Sequence, residues 1–295
     1  MRDAHGLVPP GAERRFVDVG AGRLGVLRAA GPADRTPLLL VHGGGTDAAA
    51  ISWYRLVEPL AAHGAVWAPD LPGFGASLGV EPVGGPDALA EVLVEVLDAV
   101  GVERAVVMGV SMGGDVAMNL AIAHPDRVAA LVLVAPGGLV ARFGGRFTQA
   151  AAWAAAQLPD RILLPLGNLA NRFVRTALKA VVRDVGTLPA PAVDEFARLA
   201  RDPRGAKGYA RYNQASLGRT GMRNDLSGRV HAITVPTLFF HASGDPLVPI
   251  AGSRAAASAM PDARLVEVPD TGHWAQLEAH DRFLAEVRPC LAALA

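Results

Sequence analysis

The feature that most constrains the fold is an apolar run leading directly into a serine flanked by glycines. Residues 105–114 read Ala-Val-Val-Met-Gly-Val-Ser-Met-Gly-Gly, which contains Gly109-x-Ser111-x-Gly113. The run predicts a buried strand, and residues 112–123 predict a helix that returns along the sheet. Because the chain reverses sharply between them, only glycine fits at the two flanking positions, where a Cβ would clash. Ser111 is therefore expected to stand clear of the sheet.

Strands and helices alternate on both sides of this turn. Further strands are predicted at residues 37–42, 65–69, 128–134, 235–241 and 264–268, and a hairpin at 15–19 and 23–28. Helices are predicted at residues 52–62, 86–100, 251–260 and 276–294. This alternation favours an α/β fold with a mostly parallel sheet and right-handed crossovers.

One long segment interrupts the alternation. Residues 137–230 contain apolar helical patterns broken by prolines and no convincing strand. We therefore predict a core formed by residues 1–136 and 231–295, with residues 137–230 inserted as a helical cap. A cap above Ser111 would create an apolar pocket.

A serine hydroxyl needs a neighbouring base, and that base needs an acid to orient it. Asp245 follows the strand at 235–241, and His273 follows the last strand. Both would lie at the carboxyl edge of the sheet, in the chain order serine, aspartate, histidine. Asp270 and Asp115 are alternative acids, although the first suits a turn and the second suits the first turn of a helix.

Hydrolysis through a tetrahedral intermediate also needs donors for the oxyanion. The backbone N–H of Met112, at the start of the helix after the serine, is one candidate. The glycine run at residues 43–45 should supply the other. Gly44 is the first choice and Gly45 the second.

Composition narrows the partners. The 295 residues carry 28 Lys and Arg against 28 Asp and Glu, which argues against nucleic acid and anionic membranes. The single cysteine, Cys290, can form no internal disulfide, and no histidine pair has the spacing of a zinc helix. We expect no metal and no cofactor. The first 15 residues lack the apolar core of a signal peptide, and no apolar run is long enough to span a membrane. A cytoplasmic protein that binds a small molecule is expected, and a homodimer is compatible with the sequence.

Together these motifs resemble the α/β-hydrolase superfamily. They are Gly43-Gly44-Gly45, Asp70-x-x-Gly73-x-Gly75, Gly109-x-Ser111-x-Gly113, Gly244-Asp245 and Gly272-His273-Trp274. The resemblance covers nearly the whole chain and is weakest in the cap. It implies an eight-stranded, mostly parallel sheet flanked by helices, with an inserted helical cap and a serine nucleophile.

Within that superfamily, residues 42–45, 111–114 and 272–278 are similar to signatures of the meta-cleavage-product hydrolases. Those enzymes hydrolyse a carbon–carbon bond in dienoates from aromatic-ring breakdown. The resemblance implies that a cap arginine holds the substrate carboxylate, and Arg198 is the candidate. Trp274 and Val110 are candidate substrate contacts. Val110 stands where that family usually has asparagine, and Thr46-Asp47 replace its usual Pro-Gly.

The sequence is compatible with several functions. The primary hypothesis is a serine hydrolase acting on a small, largely apolar ester, lactone or vinylogous ketone. A cofactor-free haloperoxidase or perhydrolase would use the same three side chains, and a non-catalytic ligand-binding member of the fold would not need them. Epoxide hydrolases and dehalogenases resemble this chain but carry aspartate in place of Ser111.

Overall fold

The computed structural model describes residues 1–294, which form an eight-stranded sheet with helices on both faces and a small N-terminal hairpin. The strands are β1 (Arg2–Asp3), β2 (Gly6–Leu7), β3 (Glu13–Val19), β4 (Gly22–Ala29), β5 (Leu38–Val41), β6 (Val66–Pro69), β7 (Ala105–Val110), β8 (Val128–Val134), β9 (Thr237–Ala242) and β10 (Ala263–Val268). The sheet order is β10-β9-β8-β7-β5-β6-β4-β3. The predicted fold class is confirmed.

The sheet is parallel from β10 to β6 and antiparallel at β4 and β3. The two outer strands form the hairpin predicted from residues 15–28. The central strands are apolar throughout because helices cover both of their faces. In β5, Leu38 and Leu40 pack into one apolar layer, and Leu39 and Val41 pack into the other.

Helices connect these strands and form the cap. The core helices are α1 (Ala49–Ser52), α2 (Val57–Ala61), α3 (Pro86–Ala99), α4 (Met112–Ala123), α10 (Ala251–Ala259), α11 (Ala275–Glu278) and α12 (His280–Ala292). The cap helices are α5 (Arg146–Ala156), α6 (Asp160–Asn171), α7 (Val174–Val181), α8 (Ala190–Leu199) and α9 (Lys207–Ser216). All five cap helices fall between β8 and β9, inside residues 137–230.

Two predicted helices are interrupted. The helix predicted at 52–62 is instead α1 and α2 with a turn between them, because Pro59 has no N–H to donate to the Arg55 carbonyl. That carbonyl is bonded by the ring of His280, and the Ser52 carbonyl accepts from Gln276. The helix predicted at 276–294 is divided at Ala279, whose backbone is not helical (φ −112°, ψ 46°).

Within residues 1–294, no helix combines the length and the apolar character needed to cross a membrane.

The close contact between β7 and α4 predicts that a larger residue at Gly109 destabilises the fold. A Cβ at Gly109 would overlap the carbonyl of Gly113, so Gly109→Ala forces the strand and helix apart. We expect the free energy of unfolding to fall by about 1–3 kcal/mol or more. Urea denaturation measures this loss. Gly79→Ala is the matched control because no atom lies within 4 Å of its added Cβ. Equal midpoints for the two variants would contradict the prediction.

Candidate active site

Ser111 occupies the sharp turn between β7 and α4. Its backbone has φ 54° and ψ −117°, in the left-handed range that non-glycine residues rarely adopt. The amides of Gly114, Asp115 and Gly137 all donate to its carbonyl, which fixes the turn. A Cβ at Gly113 would overlap the carbonyls of Val41 and His42, so the turn also packs against the end of β5. The predicted glycine-flanked turn is present.

Asp245 and His273 lie on the loops after β9 and β10, at the same sheet edge as Ser111. His273 Nδ1 and Asp245 Oδ2 are 2.7 Å apart, and both side chains are buried. The Ser111 hydroxyl forms no hydrogen bond with another residue of the described part of the chain. The structure therefore joins the predicted acid to the predicted base and leaves the serine hydroxyl without a protein partner.

The carboxylate of Asp245 is surrounded by donors. Its Oδ1 accepts from the amides of Leu247 and Val248 at 2.8 and 2.9 Å. Burial alone would raise the pKa of Asp245, but hydrogen bonds from His241, His273 and the Val248 amide outweigh burial and hold the pKa well below its usual range. Asp245 is therefore ionised at neutral pH and can stabilise a positive charge on His273.

His241 takes a part in this site that its sequence context did not reveal. It is fully buried at the end of β9, where Nε2 lies 3.0 Å from the Val248 carbonyl and 3.3 Å from Asp245 Oδ2. Its Nδ1 lies 2.8 Å from Ser253 Oγ. These contacts connect the loop that carries Asp245 to α10. The available signal in the sequence was the position of this histidine at the end of a buried strand. That position favours a structural role as much as a role in the site.

The two alternative acids lie elsewhere. Asp270 is an exposed turn residue with φ 57°. Asp115 is fully buried in the first turn of α4, where its side chain accepts from Tyr212, Asn224 and Asn119. Neither carboxylate is hydrogen-bonded to His273 within residues 1–294. Asp245 is the acid that contacts the histidine.

The glycine loop after β5 lies beside Ser111. The Gly43 amide donates to Asp47 Oδ2 at 2.8 Å, and Asp47, itself buried, also accepts from Ala48 and Ser52. Asp47 thus anchors the loop and occupies the Gly43 amide. Across the described residues, the amides of Gly44, Gly45 and Met112 have no protein acceptor. These three amides are the ones predicted from the sequence as oxyanion donors, and that role stays a prediction.

A cavity of about 500 Å³ contains Ser111 and Met112 and extends beneath the cap. Its remaining lining is mostly apolar and aromatic: Gly137, Gly138, Val140, Arg142, Phe143, Gly144, Ala152, Tyr209, Tyr212, Asn213, Leu217, Met222, Asn224, Leu247, Val248 and Pro249. Arg142 is the only charged side chain in this lining. The cavity therefore favours a largely apolar ligand with few polar groups.

Two tyrosines of α9 connect the cap to both sides of the site. The Tyr209 ring lies over Gly44, where an added Cβ would overlap it. Tyr209 stacks on Tyr212, with ring centroids 5.8 Å apart and an interplanar angle of 9°. The Tyr212 hydroxyl donates to Asp115 Oδ2 at 2.6 Å. The chain has only three tyrosines, and two of them stand one turn apart in this helix, which is a signal that sequence reasoning did not use.

The predicted substrate contacts lie outside this cavity. Arg198 is held by both carboxylate oxygens of Glu195, at 2.6 and 3.0 Å, and approaches Gly6 of the N-terminal hairpin. Trp274 is buried against Phe196, and Val110 is buried in β7. The expectation for these three residues is therefore corrected. A neighbouring carboxylate satisfies the arginine, and core packing takes up the other two side chains.

With this geometry established, comparison with known proteins defines the family. A family model for the alpha/beta hydrolase fold matches residues 36–280. The chain belongs to the α/β-hydrolase family. Several of its relatives are named as hydrolases, and one is named as the acetyltransferase component of an acetoin cleaving system.

Two relatives are named as hydrolases of a dienoate and of a semialdehyde. The 2-hydroxy-6-oxo-6-phenylhexa-2,4-dienoate hydrolase of Burkholderia cepacia is 31% identical over 257 residues, covering 83% of this chain and 84% of that protein. The 2-hydroxymuconate semialdehyde hydrolase of Pseudomonas sp. (strain CF600) is 30% identical, covering 87% of each. The solved 2-hydroxy-6-oxo-6-phenylhexa-2,4-dienoate hydrolase of Rhodococcus sp. strain RHA1 superposes with a TM-score of 0.72 at 24% identity, covering 94% of this chain and 98% of that one. The expected likeness to meta-cleavage-product hydrolases is confirmed.

The buried Asp115 generates a pH prediction. Burial raises the pKa of its carboxyl from 3.8 to about 7, against the opposing hydrogen bonds from Tyr212, Asn224 and Asn119. Below pH 3.8 the folded and unfolded chains both hold the proton. Between the two values only the folded chain holds it, so rising pH favours unfolding.

Asp115→Asn keeps the shape of the side chain but removes this titration. We expect the stability of the wild type relative to Asp115→Asn to fall from about pH 4 to about pH 8, by at most about 4 kcal/mol. Urea denaturation across this pH range measures the difference. Parallel stability profiles for the two proteins would show that Asp115 does not titrate as described.

Proposed function

We propose that this protein is a serine hydrolase in which Ser111, His273 and Asp245 form the catalytic triad. The observation that carries the proposal is the buried 2.7 Å contact between His273 and Asp245, at the sheet edge where Ser111 stands in its left-handed turn. Each of the three follows the carboxyl end of a parallel strand, where open α/β sheets bind their ligands.

The proposed reaction uses the two nitrogens of His273 differently. With its proton on Nδ1 donated to Asp245, Nε2 is free to accept the proton of the Ser111 hydroxyl. The serine oxygen then adds to the substrate carbonyl, and the amides of Gly44 and Met112 stabilise the negative oxygen that forms. The protonated His273 gives its proton to the leaving group, and water afterwards releases the acyl group from Ser111.

The substrate class follows from the cavity. Its walls are mainly aliphatic and aromatic, and their polar side chains are those of Ser111, Arg142, Tyr209, Tyr212, Asn213 and Asn224. A volume of about 500 Å³ suits a small ester or lactone with an apolar acyl group. We therefore take hydrolysis of small, largely apolar esters or lactones as the first candidate activity.

Carbon–carbon bond hydrolysis of a dienoate is the second candidate. Likeness to the dienoate hydrolase and the semialdehyde hydrolase favours it, and so does Arg142 in the cavity lining. The guanidinium of Arg142 donates to the Thr220 carbonyl at 3.1 Å and forms no ion pair within residues 1–294. It is therefore available to a substrate carboxylate, in the part that sequence reasoning gave to Arg198.

Kinetics with one substrate panel test the proposal. We expect Ser111→Ala to lower kcat at least about 10³-fold on every substrate that the wild type turns over, because the nucleophile is lost. The panel contains short-chain and medium-chain p-nitrophenyl esters, aromatic lactones and a 2-hydroxy-6-oxo-dienoate. Preference for esters supports the first candidate, and preference for the dienoate supports the second.

Asp270→Asn is the matched control because it removes a carboxylate three residues from His273 that does not contact the ring. It should keep kcat within about 2-fold of the wild type, as surface substitutions usually change little. Circular dichroism confirms that each variant is folded. Undiminished turnover by folded Ser111→Ala would refute the proposal.

A further inference from the structure

The cap carries an exposed apolar stripe. Helix α6 has no buried residue, although half of its residues are apolar. Its exposed large side chains, together with that of Phe173 just after the helix, are spaced four, three and four residues apart, which places them on one face. They are Ile162, Leu166, Leu169 and Phe173, and they are 42–65% exposed. An apolar stripe of this kind is normally buried against another molecular surface.

Charge is divided unequally between the cap and the core. Residues 137–230 contain 15 Lys and Arg against 6 Asp and Glu, whereas the rest of the chain contains 13 against 22. The cap therefore carries a net charge of +9 and the core −9, which the zero net charge of the whole chain conceals. Such asymmetry between parts of a chain is typical of proteins that meet a charged surface.

Several of these cations border the stripe. Arg161 and Arg172 project from the same flank of α6, about a quarter turn from the apolar face. Beside Leu169, a groove of about 700 Å³ is lined by Arg172, Arg175 and Arg201, together with Asn168 and Asn171. Arg175 pairs with Asp194, whereas Arg161, Arg172 and Arg201 form no ion pair within residues 1–294. The groove thus places unpaired guanidinium groups next to an exposed apolar row.

Exposed apolar surface of the cap also reaches the Ser111 cavity. Phe147, at the start of α5, is 93% exposed. Phe143 is 56% exposed and lines the cavity at the same time. If an apolar phase lies against this part of the cap, a ligand dissolved in that phase is next to the cavity that contains Ser111.

We infer that the cap docks on the surface of an anionic phospholipid bilayer, with the α6 stripe in the interface and the arginines on the lipid phosphates. An amphipathic helix with a basic flank binds membrane surfaces in this way. The anionic bilayer repels the negatively charged core, so the cap is the part of the protein that faces the bilayer. Docking brings bilayer-dissolved substrate to the cavity mouth, and this last point alone rests on the proposed function.

The charges disfavour the other occupants. A two-fold interface between caps would place each cationic patch against its copy. Nucleic acid would satisfy the arginines but would leave the row from Ile162 to Phe173 exposed to water. An anionic bilayer satisfies both the apolar and the cationic groups.

Vesicle sedimentation tests the inference, and Ser111→Ala protein is used so that turnover has no influence on the result. The vesicles contain phosphatidylglycerol and phosphatidylcholine, or phosphatidylcholine alone. We expect at least about 10-fold tighter binding to the anionic vesicles, and weaker binding at high salt. Arg161→Gln with Arg172→Gln, or Phe173→Ser alone, should each weaken binding about 10-fold.

Matched controls come from the core. Arg35→Gln with Arg288→Gln removes the same charge from exposed core positions, and Val83→Ser removes an exposed core side chain. Both should bind as tightly as the parent. No binding to anionic vesicles, or equal losses in the core variants, would overturn the inference.

Two further outcomes would also overturn it. One is capture by duplex DNA that needs the arginines but not Phe173. The other is self-association, seen by light scattering, that the cap variants abolish.

Discussion

The site depends on how closely β7 and α4 approach each other at Ser111. The serine backbone is held at φ 54°, and glycines at 109 and 113 leave room for carbonyls that would otherwise meet a Cβ. This contact positions the serine above the sheet and directs the amide of Met112, at the positive end of α4, toward the same space. Larger residues at these glycines would separate strand from helix, and the hydroxyl would lose its fixed position.

The cap is coupled to this turn through a buried polar cluster. Tyr212 and Asn224 both bond the Asp115 carboxylate, one helical turn beyond Ser111, while Tyr209 covers Gly44 on the opposite side. Stacking joins the two tyrosine rings. Helix α9 therefore contacts the glycine loop through Tyr209 and the start of α4 through Tyr212. The cap thus contributes to the geometry of the site as well as to its walls.

Much of the fold could be predicted because the relevant signals are local. Central strands such as β5 and β8 are continuous apolar runs, and α4 was predicted at its observed bounds. The Ser111 turn and the loops of Asp245 and His273 follow strands, so their convergence is a consequence of parallel topology. The prediction of one helix at 52–62 was wrong because Pro59 has no N–H to donate to the Arg55 carbonyl. Gln276 and His280 bond the Ser52 and Arg55 carbonyls instead.

Cap contacts could not be predicted in the same way. Arg198 is an exception, because Glu195 lies three residues before it on the same helix, and this spacing of opposite charges could be read from the sequence. Arg142, Tyr209 and Asn224 reach the cavity from three separate cap segments, and no sequence period relates them. The unequal charge of cap and core could be read from the sequence, but only by counting the charged residues of each segment separately.

We propose above all that His273 and Asp245 activate Ser111. The most direct test of this proposal is labelling with a fluorophosphonate, which phosphonylates an activated serine, with the adduct located by mass spectrometry. We expect one adduct, on Ser111, which forms at least about 100-fold more slowly when His273 is replaced by alanine. No adduct on Ser111, or an equal labelling rate in folded His273→Ala, would contradict it.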